Sequence, residues 1–235
     1  LKKSPDAPLR GTVIHDVLEA FIKAGPWKNA GEAKSALLKL SHEMLQDLVP
    51  WPTARRMWQA RVARFADWFV EGEIIRQADL LSSHTEVWGK ATLTDTDFTL
   101  VGKADRVDVL HNGTARIFDY KTGVLPSKAQ QLHFDKQLLL EAEILQRGGF
   151  EGLSALQVAE ATYIGVGNEP KLAKAPLDED DVWIKFSQLI KAYQNPIQGY
   201  TARRAMLMVD VSSDYDQLAR YGEWGTNESA LLIKT

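Results

Sequence analysis

Hydrophobic residues recur every three or four positions along the first third of the chain, which is the spacing of helices that bury one face. Helices are predicted over residues 9–23, 32–48 and 52–78. Gly25-Pro26 ends the first, and a proline in the first turn begins the third, where its missing N–H is harmless. Aromatic residues of the third helix follow the same spacing, so we expect them in the core rather than stacked on a ligand.

The pattern then changes to the alternation typical of strands. A strand is predicted over residues 83–88 and a short hairpin over residues 91–101. A polar loop over 124–134 precedes a predicted helix over 134–147, and a further strand follows over 156–166. Strands that alternate with helices in this way are typical of α/β folds.

The last part of the chain begins with a predicted loop over residues 167–177 and a helix over 178–194. The helix starts with four acidic residues, which suit the positive end of a helix dipole better than they indicate a metal site. A short helix is expected over 214–224.

A predicted hairpin around Asn112-Gly113 carries the candidate chemistry, because Asn-Gly favours a two-residue type I′ turn with positive φ at both central positions. Asp105 lies on the first strand, Asp119 ends the second, and Lys121 follows two residues later. Side chains two residues apart on a strand share a face, so Asp119 and Lys121 project together. The turn brings Asp105 to within a residue or two of them. Two neighbouring carboxylates repel each other, and an oxygen-preferring cation such as Mg²⁺ relieves that repulsion.

The alternative for this stretch is a surface hairpin with solvated charges. A carboxylate two residues before a lysine is a common pattern, and here it occurs at Glu32, Asp119 and Glu169. Only Asp119 ends an apolar strand that follows a second strand bearing a carboxylate. The position of the triplet, rather than the triplet itself, therefore favours a site.

The composition further limits the kinds of protein and of metal site that the chain can form. A chain of 235 residues that is 45% hydrophobic and 25% charged fits one globular domain with elaborations. The chain has no cysteine, which excludes disulfides and thiolate-bound metals, including an iron–sulfur cluster. No stretch reaches the roughly 18 apolar residues of a membrane span, and no signal peptide is visible, so we expect a cytoplasmic protein without a membrane partner. The chain begins with leucine, so we also expect a domain excised from a larger protein.

The net charge of −3 argues weakly against a protein that coats DNA, and any DNA contact must come from local basic groups. The polar side of the third helix carries a basic run of arginines, for which a solvated surface is the simpler interpretation. Arg106 is expected to be structural, since it lies beside Asp105 on the opposite strand face. The candidate DNA-contacting residues are Arg10, Lys103, Arg106, Lys128, Arg203 and Arg204.

The two motif strands, 102–108 and 119–123, resemble the core motifs of the PD-(D/E)XK nucleases, and most closely those of the RecB/AddB branch. That branch also has an upstream Gly-x-x-x-His, matched by Gly11 to His15, and a helical glutamine, matched by Gln137. All these motifs occur in the family's order. Residues 215–224 further resemble the tail of bacterial AddB subunits.

The resemblance implies an α/β, restriction-endonuclease-like core with a central mixed β-sheet flanked by helices. We expect an N-terminal helical region over residues 1–80, the nuclease core over 81–195 and a C-terminal extension that wraps the core over 196–235. All three would form one nuclease domain.

The resemblance also implies roles for individual residues. Catalytic roles fall to Asp105, Asp119, Lys121 and Gln137. The ligands of Mg²⁺ or Mn²⁺ would be His15, Asp105, Asp119 and the backbone carbonyl of Tyr120. For Lys121 an electrostatic role is favoured over that of a base, because neighbouring carboxylates stabilise its charged form. The roles of Glu86 and Glu141 stay open, and the family often has a tyrosine where Glu141 stands.

The expected function is that of a metal-dependent deoxyribonuclease, an exonuclease that works with an AddA-like helicase subunit on double-strand breaks in DNA repair and recombination. One alternative is a non-catalytic nuclease-fold module that grips DNA or a partner, against which the retained acidic residues argue. Another is a stand-alone Cas4-like exonuclease, against which the missing cysteines argue. A metallohydrolase acting on something other than nucleic acid is more remote, since Gln137 and the motif order match the family.

Overall fold

The protein is described by a computed structural model that covers residues 5–94, 96–178, 181–198, 216–218 and 220–225. The chain divides into two compact units. The first combines the described residues of 1–92 and 99–180, and the second combines those of 93–98 and 181–235.

Three helices begin the first unit: α1 (Ala7–Ala24), α2 (Ala30–Leu48) and α3 (Pro52–Arg76). The side chain of Asp6 caps α1 and that of Asn29 caps α2, each accepting a backbone N–H of the first turn. Pro52 stands in the first turn of α3. The aromatic residues of α3 pack into the core as expected: Phe65 and Phe69 are buried and Trp68 partly buried, and Phe69 contacts both Phe65 and Phe21 of α1.

A mixed sheet of five strands follows, in the spatial order β1-β2-β3-β4-β5. All neighbouring strands are antiparallel except β3 and β4, which are parallel and are joined through two helices. This arrangement of a mixed sheet with flanking helices confirms the predicted fold class. The strands are β1 (Leu80–Thr92), β2 (Thr99–Leu110), β3 (Thr114–Lys121), β4 (Gln157–Gly165) and β5 (Lys171–Lys174), and the joining helices are α4 (Lys128–His133) and α5 (Gln137–Gln146).

Three predictions about this region were wrong. The separate strand over 83–88 and hairpin over 91–101 are parts of one long hairpin, β1 with β2. The predicted polar loop over 124–134 contains α4, which a capping box of Ser127 and Gln130 sets up rather than an apolar stripe. The predicted loop over 167–177 contains β5, whose side chains are mostly exposed and so lack the apolar alternation of a strand.

The hairpin between β2 and β3 turns over three residues, 111–113, instead of the predicted two. Gly113 alone takes a positive φ of 82°, while the side chain of Asn112 accepts hydrogen bonds from the backbone and hydroxyl of Thr114. This is the geometry of a turn that ends in a left-handed glycine. The pairing of Arg106 with Phe118 then directs Asp105 and Asp119 toward each other one position further on.

The second unit contains α6 (Val182–Tyr193), and Phe186 of this helix packs edge-on against Phe98. The helix begins later than predicted, so the acidic run precedes its first turn rather than forming it. The helix predicted over 214–224 lies partly outside the described residues, and within it 216–218 form a turn. None of the described helices has both the length and the apolar character that crossing a bilayer requires.

Candidate active site

Asp105, in the middle of β2, is fixed by groups from two other elements. The backbone N–H of Tyr120 on β3 donates a 2.8 Å hydrogen bond to Asp105 Oδ2, and His15 Nδ1 of α1 lies 3.3 Å from the same oxygen. Burial lowers the pKa of His15, but its hydrogen bond with Asp105 and the charge of that carboxylate outweigh this, and the pKa is raised. The backbone of Tyr120 acts in the same direction on His15.

Glu86 of β1 completes a group of three potential metal ligands. One ligand atom each of His15, Glu86 and Asp105 lies within 4.8 Å of the others. Glu86 has a φ of 55°, in the left-handed region that residues other than glycine rarely adopt. Its carboxylate is ion-paired with Lys103 on β2. A strained backbone at a position that gathers ligands is typical of functional sites.

A second group lies at the end of β3, around Asp119. Lys121 Nζ is 2.8 Å from Asp119 Oδ2 and donates a 2.9 Å hydrogen bond to Gln137 Oε1. Gln137 Nε2 in turn donates to Asp119 Oδ1 and, at 3.1 Å, to Glu141 Oε1. The first residue of α5 thereby links a strand carboxylate, a lysine and a helix carboxylate.

Two carboxyl groups of this site hold their protons unusually tightly. Burial, helped by the charge of Asp105, raises the pKa of Asp119 to about 6. Burial raises the pKa of Glu141 to about 8, with Asp119 and Asp105 adding to the effect against the hydrogen bond from Gln137. Buried carboxyl groups with raised pKa values in a cluster are a physical indicator of a functional site.

Tyr163 borders the site from β4, where it pairs with Asp119 across the parallel strands. Its ring lies 5.4 Å from Lys121 Nζ, and its hydroxyl donates a 2.7 Å hydrogen bond to Asp135. The sequence predicts Tyr163 only as part of the strand over 156–166 and leaves the roles of Glu86 and Glu141 open. Glu86 and Tyr163 reach the site through strand pairing, which is not visible in a local pattern, whereas four-residue spacing from Gln137 pointed to Glu141.

The donor set fits a divalent, oxygen-preferring cation. The charge of Asp105 contributes to the raised pKa of Asp119, and a bound cation would relieve this repulsion. Among the described residues, Asp119 Oδ2 is buried and, apart from its ion pair with Lys121, accepts no hydrogen bond. His15 and Glu86 offer one further ligand atom each beside Asp105. Oxygen donors with one imidazole suit Mg²⁺ or Mn²⁺.

The basic residues predicted to contact DNA have different surroundings. Arg106 is buried and bonded to Glu73 and Asp108, so its proposed contact with DNA was wrong and its expected structural role is confirmed. Lys103 pairs with Glu86 beside the site, while Lys128 is exposed on α4. Arg203 and Arg204 lie outside the described residues, and Arg10 lies on α1.

The fold and the site together define a mixed-sheet α/β protein in which an acidic residue in the middle of β2, Asp105, lies beside an acidic residue and a lysine at the end of β3, Asp119 and Lys121. A family model for the PD-(D/E)XK nuclease superfamily matches residues 1–210. The chain belongs to this superfamily.

The chain is also similar to curated proteins that are named as uncharacterised. Uncharacterised proteins of Rickettsia typhi and Rickettsia conorii are each 26% identical to the chain, over 68% and 63% of its length. These matches cover 19% and 18% of the two relatives, so the chain spans about a fifth of their length. Among solved structures, SSO0001 gives a TM-score of 0.35 at 12% identity, with 82% of this chain and 89% of that chain covered. Protein VC1899 from Vibrio cholerae gives 0.30 at 12% identity, with 77% and 51% covered.

Proposed function

We propose that the protein is a metal-dependent deoxyribonuclease that hydrolyses phosphodiester bonds. The observation that carries this proposal is the convergence of Asp105, Asp119 and Lys121 with Gln137 and His15 beside the end of β3. The superfamily supports the reaction class. We further propose Mg²⁺ or Mn²⁺ as the cation and DNA as the substrate.

Hydrolysis requires that negative charge building up around phosphorus is offset and that a water is oriented for attack. A divalent cation, when bound, supplies the positive charge, and Asp105, Asp119 and His15 would hold it, with Glu86 in reach. Lys121 is held by Asp119 on one side and Gln137 on the other, which fixes its ammonium for orienting the water and offsetting charge. Glu141 keeps a proton near neutral pH, because burial raises its pKa to about 8.

A cluster of arginines supports a polyanionic substrate. Arg61 of α3 lines a groove of about 310 Å³ together with Thr122 and Gly123, which directly follow Lys121. Burial lowers the pKa of Arg61, and the charges of Arg10 and Arg64 lower it further. Within the part of the chain that the structure describes, none of these three arginines has an ion pair with a carboxylate. Like charges gathered beside the site fit the phosphates of a nucleic acid.

The finer assignment is to the RecB/AddB branch. The motifs at Gly11 to His15, 102–108, 119–123 and Gln137 support it. We propose that the domain works in a longer protein with an AddA-like helicase subunit on double-strand breaks, acting as an exonuclease on a strand that the helicase delivers.

The first test is cleavage of end-labelled linear DNA, single- and double-stranded, with Mg²⁺, Mn²⁺ or EDTA. Asp119→Asn and Lys121→Ala should each lose activity by about a hundredfold or more, because each removes a charge that acts on the reacting phosphate. Asp67→Ala, on the exposed side of α3, is the matched control and should cut like the wild type.

Binding of the cation is measured separately, as the rise in melting temperature that Mn²⁺ causes. That rise should be smaller in Asp119→Asn than in the wild type. A wild-type protein that binds DNA but cleaves it with neither Mg²⁺ nor Mn²⁺ contradicts the enzyme assignment and favours a non-catalytic module. Variants that are folded and cut as fast as wild type contradict the assigned residues.

A further inference from the structure

The outward face of the hairpin of β1 and β2 carries an exposed tryptophan between two lysines. Trp88 and Lys90 lie on β1, opposite Lys103 and Val101 of β2 respectively. These four residues are called the hairpin stripe. Trp88 is 51% exposed and Val101 58% exposed.

Strand alternation separates the stripe from the core. Residues between the stripe positions, such as Gly89 and Ala91, are buried on the other face of the hairpin. There Gly89 meets Phe150 and Ile144, so closely that a Cβ at this position would clash with both side chains. The hairpin is thereby held with its stripe outward, and Trp88 cannot turn inward without a change of register.

The stripe begins at the candidate active site. Lys103 Nζ is ion-paired with Glu86, which gathers with His15 and Asp105, and lies 5.9 Å from the centre of the Trp88 ring. Trp88 is therefore one side chain away from the residues that would bind the cation. Lys90 follows two residues later on β1, further from Glu86 along the strand.

We infer that the hairpin stripe binds a single-stranded segment of DNA beside the active site, an inference that rests on the proposed function. A half-exposed tryptophan between amines fits a ligand that is both planar and anionic, because its ring stacks on a base while the lysines bind phosphates. Within the described residues Trp88 has no aromatic neighbour, and Lys90 has no ion pair. A duplex hides its base faces inside the stack, so only an unpaired strand offers them to Trp88.

The test measures binding apart from cleavage. Fluorescence anisotropy in EDTA compares a labelled single strand of about 16 nucleotides, its duplex and the RNA of the same sequence. Trp88→Ala should weaken binding of the single strand by about 5- to 150-fold, and Trp88→Phe by much less, because stacking needs an aromatic ring. Binding of the duplex should change by less than about twofold.

Lys90→Ala should act on salt dependence instead. Each phosphate contact contributes about 0.7 to the slope of log K against log salt for a single strand, so that amount should be lost in Lys90→Ala but retained in Trp88→Ala. Leu81→Ala removes another exposed apolar side chain of β1 outside the stripe and should bind like the wild type. Unchanged far-ultraviolet circular dichroism and melting temperature show that each variant is folded.

Equal losses for single strand and duplex, or no loss in folded Trp88→Ala, overturn the inference, as does tighter binding of RNA than of DNA. Failure of the proposed function looks different. If single strands bind in a way that depends on Trp88, but the wild-type protein cleaves DNA with neither Mg²⁺ nor Mn²⁺, the result supports the hairpin stripe and overturns the proposed nuclease activity.

Discussion

At the scale of single residues, the site is a set of carboxyl groups whose proton affinities are unequal. Asp119 and Glu141 are linked through Gln137, yet burial raises the pKa of Glu141 to about 8 and that of Asp119 to about 6. The buried Glu141 Oε2 has no hydrogen-bond partner within the described residues. A neutral Glu141 beside a largely ionised Asp119 limits the negative charge of the site near pH 7.

The raised pKa of Glu141 predicts a pH-dependent stability for the metal-free protein. The folded state binds this proton more tightly than the unfolded chain, so the free energy of unfolding falls as pH rises from about 4.5 to about 8. Glu141→Gln keeps an acceptor for Gln137 but has no charge to bury, and should remove up to about 4 kcal/mol of that pH dependence. Urea denaturation between pH 5 and pH 9, in about unit steps, measures the change.

Glu143→Gln on the same helix is the matched control, since Glu143 pairs with Arg147 near the surface. Its stability should follow the wild-type pH profile. A Glu141→Gln variant with the same slope as wild type contradicts a buried, proton-holding Glu141.

At the scale of elements, α3 is joined to the sheet by a buried ionic network. Arg106 of β2 donates a 2.8 Å hydrogen bond to Glu73 of α3 and two of 2.7 Å to Asp108, and its guanidinium lies 5.2 Å from the centre of the Phe118 ring. Glu73 also accepts from Arg76. Both oxygens of Glu73 and both oxygens of Asp108 accept hydrogen bonds, so loss of the shared arginine would leave buried carboxylate oxygens unpaired.

Arg106→Met should therefore destabilise the protein by about 3–5 kcal/mol, because two buried carboxylates lose their shared cation. The midpoint of urea denaturation measures the loss. Arg116→Met makes the same substitution at an arginine whose partner, Asp79, is largely exposed. Its midpoint should shift far less, because exposed ion pairs contribute little to stability. Equal shifts for the two variants would mean that burial of the network contributes nothing.

The sequence predicted elements and motif geometry where local rules decide them. The helical period located α1, α2 and α3, and strand alternation with the Asn-Gly turn brought Asp105 near Asp119. It missed α4 and β5, since a short capped helix and an exposed edge strand have no apolar periodicity.

Part of the candidate site was also out of reach of local patterns. Glu86 comes beside Asp105 only through the pairing of β1 with β2, and its left-handed backbone has no signal in the residue type. Tyr163 comes beside Asp119 because β3 and β4 pair in parallel, and that pairing depends on the whole crossover segment between the two strands. The raised pKa of Glu141 is a consequence of burial, which depends on the packing of α5 against the sheet.

At the scale of the whole molecule, a local cluster of positive charge contrasts with the negative net charge of the chain. The chain has a net charge of −3, yet Arg10 and Arg64 lie near Arg61, which lines a groove with Thr122 and Gly123. A locally positive surface on a slightly acidic protein directs a polyanion to one place rather than to the entire surface.

The arginine cluster predicts a salt-dependent affinity for DNA. The double variant Arg61→Ala with Arg64→Ala should bind duplex DNA more weakly, and the slope of log K against log salt should fall in magnitude by about one to two, since each phosphate contact contributes about 0.9. Filter binding in EDTA over a range of salt concentrations measures the slope. Arg56→Ala, an exposed arginine of the same helix away from the groove, should leave it unchanged. The same loss in Arg56→Ala would mean that α3 binds DNA along its length or through general charge.

The parallel pairing of β3 with β4 sets the order in which the site is assembled during folding. Only residues 111–113 separate β2 from β3, whereas residues 122–156 separate β3 from β4. Closing the shorter loop loses less chain entropy, so we expect the meander of β1, β2 and β3 to form first and β4 to dock later. The acidic pair is thus brought together while water still surrounds it and screens its repulsion. Gln137, Glu141 and Tyr163 arrive with the crossover and exclude that water, so the electrostatic cost of the site falls on the last stage of folding.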